Sequence, residues 1–405
     1  MDAAQRTSLT ILVAALGYFV DVFDIHLFSI LRVGSLKSLG LSPEEITDIG
    51  AQLVNWQMGG FLLGGILWGI LGDKKGRVYV LFGTILLYSL GNIANAFVTT
   101  IPAYAAARFF TGLGLAGEIG AGVTLLSELL PKEKRGYATT IMIGCGVLGP
   151  VVASIIGDAL PWRWAYIAGG GLGLLLLCLR IAVSESGMFN TILQQKQIAR
   201  GSFVMFFNDR ERLLRYLCCI GIAIPNWFVV GVMLVFTPEI GVALGTDVPL
   251  KASNAVMTVF VGLALGSLFS GLLSQLARSR KKIIGLFLLG LSLVLYYILT
   301  DHGVSATSYY ALTCMAGFVT GYWALFMTTT AEQFGTNLRA TATTSIANFV
   351  RGSLILDTLL IRDIKLTYGF LNSLIVTAAV GFVIAALALW KLPETFDRNL
   401  DFIEK

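Results

Sequence analysis

The sequence predicts an all-α integral membrane protein, with twelve transmembrane helices in two pseudo-symmetric six-helix bundles. Three observations carry this. The 405 residues are 56% hydrophobic and only 13% charged, with a mean hydropathy of +0.78. Soluble domains hold roughly 45–50% apolar and about 25% charged residues. Twelve stretches approach the roughly 20 apolar residues that a helix needs to cross a bilayer. The second half also repeats features of the first at an offset of 204 residues. Length alone, at about 150 residues per domain, would suggest about three soluble domains, but this composition leaves too little polar surface to coat them.

The spans fall at 9–31, 53–72, 78–98, 101–126, 137–160 and 164–183, then 213–237, 254–277, 283–300, 306–331, 341–361 and 369–390. Span one is too long for the apolar region of a signal peptide, carries Asp21 and Asp24, and has no small-residue cleavage site after it. The connection at 184–212 is the longest on its side and is moderately polar, with Gln194, Gln195, Lys196, Arg200, Asp209, Arg210, Glu211 and Arg212. It divides the chain into an N-terminal bundle at 1–183, a linker at 184–212 and a C-terminal bundle at 213–405.

Lys and Arg fix the expected orientation. Twenty-one lie on the side of the termini, six lie in the opposite loops, and Arg108 and Arg351 lie within spans. Basic residues collect on the cytoplasmic side, so both termini and the linker are expected there. The net charge of +5 is thus topological and gives no indication of a nucleic-acid partner. Cys145, Cys178, Cys218, Cys219 and Cys314 all lie in apolar runs and are expected to be small buried hydrophobes. Two histidines do not make a His-rich metal site, and no cofactor is expected.

The repeat is visible in the loops. Glu128 precedes Arg135 by seven residues, and Glu332 precedes Arg339 by seven. Residues 69–77 map onto 273–281, where Arg278, Arg280 and Lys281 keep the basic character but Ala277 stands in place of Asp73. Two six-span halves of parallel topology are a transporter architecture, with the ligand near the bilayer midplane.

Several side chains inside the spans bear chemistry. Asp21 and Asp24 are three residues apart and share a helix face. An ionised carboxylate near a bilayer centre costs about 2.5–3.5 kcal/mol on insertion scales, so either acid can carry a coupling proton or hold helix one through a polar partner. His26 lies on another face and is expected to be a satisfied polar group. Glu118 follows Arg108 by ten residues in span four, near three turns, so both are expected toward one side. Glu118 is either a second coupling acid or a structural partner for a neighbouring helix. The string Gly112-x-Gly114-x-x-Gly117 lies inside an apolar span, with no preceding strand, and is expected to allow close helix approach rather than to bind a nucleotide. In the second half Arg351 has Asn348 one turn before it and Asp357 six residues after it. It can bind a substrate anion through its planar fork or pair internally. Pro225, Asn226 and Trp227 suit a broken, cavity-lining segment.

These residues together identify a resemblance to the major facilitator superfamily of secondary transporters. Gly69, Asp73, Gly76 and Arg77 match its loop motif. Arg108 followed by Gly112, Gly114 and Gly117 resembles its fourth-helix motif, and Gly144, Gly149 and Pro150 resemble its fifth-helix motif. Ser184-Glu185-Ser186 resembles the end of its sixth helix without the proline. Glu332 to Arg339 and Leu392-Pro393-Glu394-Thr395 resemble the sugar-porter and metabolite:proton symporter branches. Asp21-Val22-Phe23-Asp24 resembles the first-helix motif of aromatic-acid:proton symporters, with valine in place of glycine.

The resemblance implies a monomeric transporter that moves a small organic solute by alternating access, with H+ as coupling ion, in the bacterial inner membrane. It implies a part in proton handling for Arg108. Gly69, Asp73, Gly76, Arg77, Glu128, Arg135, Glu332 and Arg339 would form a conformational latch. The fifth-helix motif is associated with antiporters and keeps proton-driven efflux open beside symport. A non-transporting receptor is the alternative from another class. The sequence holds no Walker loop, no H-E-x-x-H and no G-x-S-x-G, so pumping by nucleotide hydrolysis and common hydrolase chemistry lack support.

Overall fold

A computed structural model describes residues 3–75, 77–120, 132–180, 203–301, 303–335, 338–396 and 404. Apolar chain inside a bilayer must satisfy its own backbone hydrogen bonds, and the described residues are accordingly helical and without strands. The first half holds α1 (Ala3–Ser38), α2 (Pro43–Lys75), α3 (Arg77–Ala96), α4 (Ile101–Leu115), α5 (Lys132–Ala159) and α6 (Trp162–Arg180). The second half opens on a 3-10 turn, Phe203–Phe206, and continues with α7 (Arg210–Trp227), a π-helical turn at Phe228–Met233, and α8 (Thr237–Leu244). Then come α9 (Ala252–Ala277), α10 (Arg280–Thr300), α11 (Ala306–Thr320), α12 (Trp323–Gln333), α13 (Arg339–Tyr368) and α14 (Phe370–Lys391).

Among the described residues ten helices are long and apolar enough to cross a membrane, and Gly144–Ala159 is a shorter apolar helix. The rest of span four, at 121–126, lies outside the described residues, as does linker residue range 184–202. Large apolar side chains such as Leu268, Leu272, Leu276, Leu289 and Leu293 are exposed, as a lipid-facing surface requires.

The repeat extends to helix ends. Thr100 caps α4 and Ser305 caps α11; each helix then runs 15 residues and stops, at Ala116 and Gly321 respectively. Close backbone packing recurs as well. A Cβ on Gly112 would strike the carbonyl of Gln57, and one on Gly317 the carbonyl of Val259. The glycines of span four therefore let α4 lie against α2, and their equivalents let α11 lie against α9.

Two compact units are present: residues 1–28 with 52–203, and residues 29–51 with 204–405. The corner between α1 and α2, turned at Gly40 with φ +89°, thus groups with second-half helices. The cysteines depart from expectation. Cys218 and Cys219 are buried, but Cys145 and Cys314 are half-buried and Cys178 is exposed, because an apolar run in a membrane protein has a lipid face as well as a core face.

Candidate functional site

In the first unit the buried charges gather where α1, α2, α3, α4 and α6 meet. Asp21 and Asp24 are both fully buried on α1. The charges of Asp21 and Arg108 both act on Asp24, and Asn92 of α3 is its interacting side chain. Gly169 of α6 leaves room for it, since a Cβ there would lie 2.7 Å from Asp24 Oδ1. Arg108, also fully buried, donates through Nη2 to Gln57 Oε1 of α2 and lies 4.7 Å from the centre of the Phe28 ring. The Tyr166 hydroxyl pairs with that of Tyr104 at 2.8 Å and senses both Arg108 and Asp24. The structure therefore joins Asp21, Asp24 and Arg108 in one cluster.

Glu118 belongs elsewhere. It is buried and accepts a hydrogen bond from Thr84 Oγ1 at 3.3 Å. The ten residues from Arg108 do not form one helix, because α4 ends at Leu115 and the chain turns at Ala116–Gly117. His26 is buried.

In the second unit Arg351 of α13 is buried. Its Nη1 donates to Asn348 Oδ1 at 3.4 Å, and its guanidinium carbon lies 5.8 Å from the centre of the Trp227 ring on α7. Asn226 donates to the carbonyl of Thr320 at 2.8 Å, and Tyr322 donates back to the carbonyl of Ile222 at 3.0 Å. These two bonds stitch the break between α11 and α12 to the stretch of α7 that Pro225 disturbs. The π-helical turn follows at once, and such turns are frequent at functional sites. Asp357 is also buried, and its Oδ2 has no hydrogen-bond partner among the described residues. Arg351, Asn348 and Trp227 thus meet between α13 and α7, while Asn226 is turned to the Thr320 carbonyl and Asp357 lies further along α13.

The expected latch is described only in its second-half copy. Gly76 and Glu128 lie outside the described residues, as do the side chains of Asp73, Arg77 and Arg135. Gly69 lies within α2. Glu332 accepts from Arg280, Nη2 to Oε1 at 3.1 Å, and from Thr395 Oγ1 at 2.7 Å. Arg339 donates to the carbonyls of Ala331 at 2.9 Å and Phe334 at 3.3 Å, at the end of α12. Glu332 therefore contacts Arg280 and Thr395, and Arg339 contacts backbone carbonyls.

Glu394 caps the start of α10, accepting from the Ser279 hydroxyl and from the amides of Arg280 at 2.9 Å and Lys281 at 3.3 Å. Burial pushes its pKa up, but the Ser279 hydroxyl and the Arg280, Thr395 and Lys281 amides outweigh burial and hold the carboxyl below its ordinary value. Arg280 stands in a basic loop that also satisfies the topological rule, so its pairing was hidden in the sequence. Gln57, Asn92 and Tyr166 carried no sequence signal beyond being polar groups in apolar spans.

Comparison with known proteins agrees with this fold. A metabolite transport protein assigned in Haemophilus influenzae is 28% identical over 96% of this chain and 96% of its own length. A protein of Bacillus subtilis assigned as a niacin/nicotinamide transporter is 27% identical over 88% of this chain and 90% of its own. The crystal structure of a D-xylose–proton symporter superposes with a TM-score of 0.72 at 18% identity, covering 96% of this chain and 98% of that one. The helices cross a membrane many times, and the molecule is a transporter of small molecules rather than an enzyme. With the family model of the Major Facilitator Superfamily matching residues 13–356, the chain belongs to that superfamily.

Proposed function

We propose that this transporter is a proton symporter that brings a small organic anion into the cell, with an aromatic carboxylate as the best-fitting solute. The observation that carries this is Arg351, buried and set over the face of Trp227 at 5.8 Å. A planar guanidinium meets a carboxylate with two parallel bonds, and an indole beside it offers a stacking surface for a ring. Niacin, named for the Bacillus subtilis relative, has this chemistry. Asn348 and Asn226 add amide contacts, and Asp357 sets the polarity further along α13.

The coupling proton is taken up at the Asp21–Asp24 pair. Arg108, held by Gln57, stabilises the ionised form, and protonation of the pair removes that attraction. The protein works as a monomer, with both termini cytoplasmic, bundles at 1–183 and 213–405, and a linker at 184–212. Proton-driven efflux is the second reading, favoured by the contact of α5 with α1. A Cβ on Gly149 would strike the Phe19 carbonyl, and one on Gly146 the Tyr18 ring, so the proline-bearing helix touches the helix that carries both aspartates.

The test is uptake into proteoliposomes of a panel of aromatic carboxylates and their neutral amides, with and without an acid-outside pH gradient. Accumulation of an acid but not its amide, dependent on the gradient, is expected. Uptake driven only by an opposed gradient would establish efflux, and transport of neutral solutes alone would remove the anion reading.

A further inference from the structure

Where α7 begins, two arginines close on one carboxylate. Arg212 is buried, and its Nε donates to Glu404 Oε2 at 3.3 Å. Arg215, three residues on, donates from Nη2 to the same oxygen at 3.1 Å. The amide of Gly335, just past α12, donates to the other oxygen, Oε1, at 3.4 Å. Each guanidinium is also held from the side. Arg212 Nη1 donates to the carbonyl of Met205 at 2.8 Å, and Arg215 Nη1 to that of Gln333 at 2.7 Å. The centre of the Phe334 ring lies 5.6 Å from the Arg215 guanidinium carbon. Phe334 packs on Phe206, Phe206 packs on Tyr216, and all three rings are buried. All of these residues lie in one compact unit.

Glu404 satisfies this pocket only in part. Its side chain is 8% exposed, so the ion pairs are largely withdrawn from water. Two guanidinium charges meet one carboxylate charge, and both meet it at a single oxygen. Asp209 also feels both arginines, but it is exposed, and its Oδ1 caps α7 by accepting from the Arg212 amide at 2.8 Å. Arg215 Nε is buried and has no hydrogen-bond partner among the described residues. A phosphate monoester carries nearly two charges and three strong acceptor oxygens, and so supplies the charge and the acceptor that one carboxylate lacks. Arginine forks match phosphate oxygens in pairs. We propose that Arg212, Arg215 and the Gly335 amide form an oxyanion site for a phosphate group, which the chain's own Glu404 occupies as a tethered competitor. Free phosphate and the headgroup of an anionic phospholipid offer the same chemistry, and the test separates them. The site uses none of the residues assigned to solute or proton, and it does not depend on the symport reading.

The first arm titrates the full chain in detergent with inorganic phosphate at constant ionic strength, by calorimetry. Glu404→Gln removes the competitor and is expected to raise the phosphate affinity about tenfold, the change that follows if Glu404 fills the pocket about nine-tenths of the time. Glu404→Asp keeps a competing charge and is expected to bind more weakly than Glu404→Gln. Adding Arg215→Lys to Glu404→Gln keeps the positive charge but removes the fork and its spare Nε, and is expected to lose most of the gain.

The second arm places the same chains in phosphatidylcholine nanodiscs with and without phosphatidic acid and reads the melting temperature. A rise with phosphatidic acid is expected to be larger in Glu404→Gln than in the unsubstituted chain, and to shrink when Arg215→Lys is added. This order of variants in the first arm assigns the site to free phosphate, and in the second arm alone to a lipid headgroup. No response in either arm, or an equal response of all the chains in both, would overturn the site.

Discussion

Arg351 on α13 lies with its guanidinium carbon 5.8 Å from the centre of the Trp227 ring on α7, and its Nη1 reaches Asn348 Oδ1 at 3.4 Å. The residue is buried. A charge kept in an apolar span is costly, and its pairing with an aromatic face gives a cation–π contact worth about 0.5–2 kcal/mol.

Arg351→Lys keeps the charge but removes the planar fork and weakens the stacking. Affinity for a carboxylate solute is expected to fall by about tenfold, read as a rise in KM with little change in kcat. A neutral solute carried with the same KM by both proteins would show that Arg351 holds the fold instead.

The stitch between α7 and the α11–α12 break rests on two buried hydrogen bonds. Asn226→Leu leaves the Thr320 carbonyl without its donor, and Tyr322→Phe does the same to Ile222. A buried acceptor left unpaired costs about 1–3 kcal/mol. Each variant is expected to melt at lower temperature in detergent. The double variant is expected to lose less than the two single losses combined, since the two bonds close the same junction. Strict additivity would show that the two breaks are independent.

Glu394 gives a pH dependence with a definite sign. Its folded carboxyl is held below the ordinary value by the cap it forms on α10. Its stabilising contribution is therefore complete above the unfolded pKa, at about 4.3, and is lost as pH falls through the lower folded value. Melting temperature on the acid side is expected to fall less steeply in Glu394→Gln than in the unsubstituted chain, with the difference confined to pH below about 5. Parallel acid limbs would remove the cap.

How much of this was legible in the sequence depends on the distance over which each residue acts. Asp21, Asp24, Arg108 and Arg351 were conspicuous because a charge inside an apolar span is costly wherever it stands. Their partners were not. Gln57, Asn92 and Tyr166 are uncharged groups on three other helices, and only the packing of α2, α3 and α6 against α1 brings them in. Pro225 signalled a disturbed α7, but not that the disturbance takes the form of a π-helical turn tied to Thr320. Arg32 and Arg280 were explained too easily. Each sits beside a membrane boundary, where the topological rule accounts for a basic residue without asking what it touches. The end of α1 was misplaced for the same reason, since hydropathy ends a span where polar residues begin, whereas α1 runs on to Ser38 to bury Arg32 against α8.

The last prediction concerns proton coupling, for which Asp24 is the first choice among the three acids of the first-half spans. Counterparts of Asp21, Asp24 and Glu118 in the second half are Pro225, Phe228 and Tyr322, so these acids have no duplicate, and duplicated halves with similar packing needs give no structural reason for the asymmetry. Glu118 accepts a hydrogen bond from Thr84, which an amide can also do. Asp24 differs. It is fully buried, feels Asp21 and Arg108, and faces Asn92. A carrier must be neutral in one step and charged in another, and asparagine cannot change charge. Asp24→Asn is therefore expected to abolish accumulation driven by a pH gradient while keeping solute exchange between equal pools. Glu118→Gln is expected to retain both. Asp21→Asn is expected to fall between them, because removing one of two neighbouring acids leaves the other to titrate alone. Counterflow and gradient-driven uptake in the same proteoliposomes measure the two activities side by side. If Asp24→Asn still accumulates solute against its gradient, the proton is carried elsewhere, and if it loses exchange as well, Asp24 serves the fold or the solute rather than the proton.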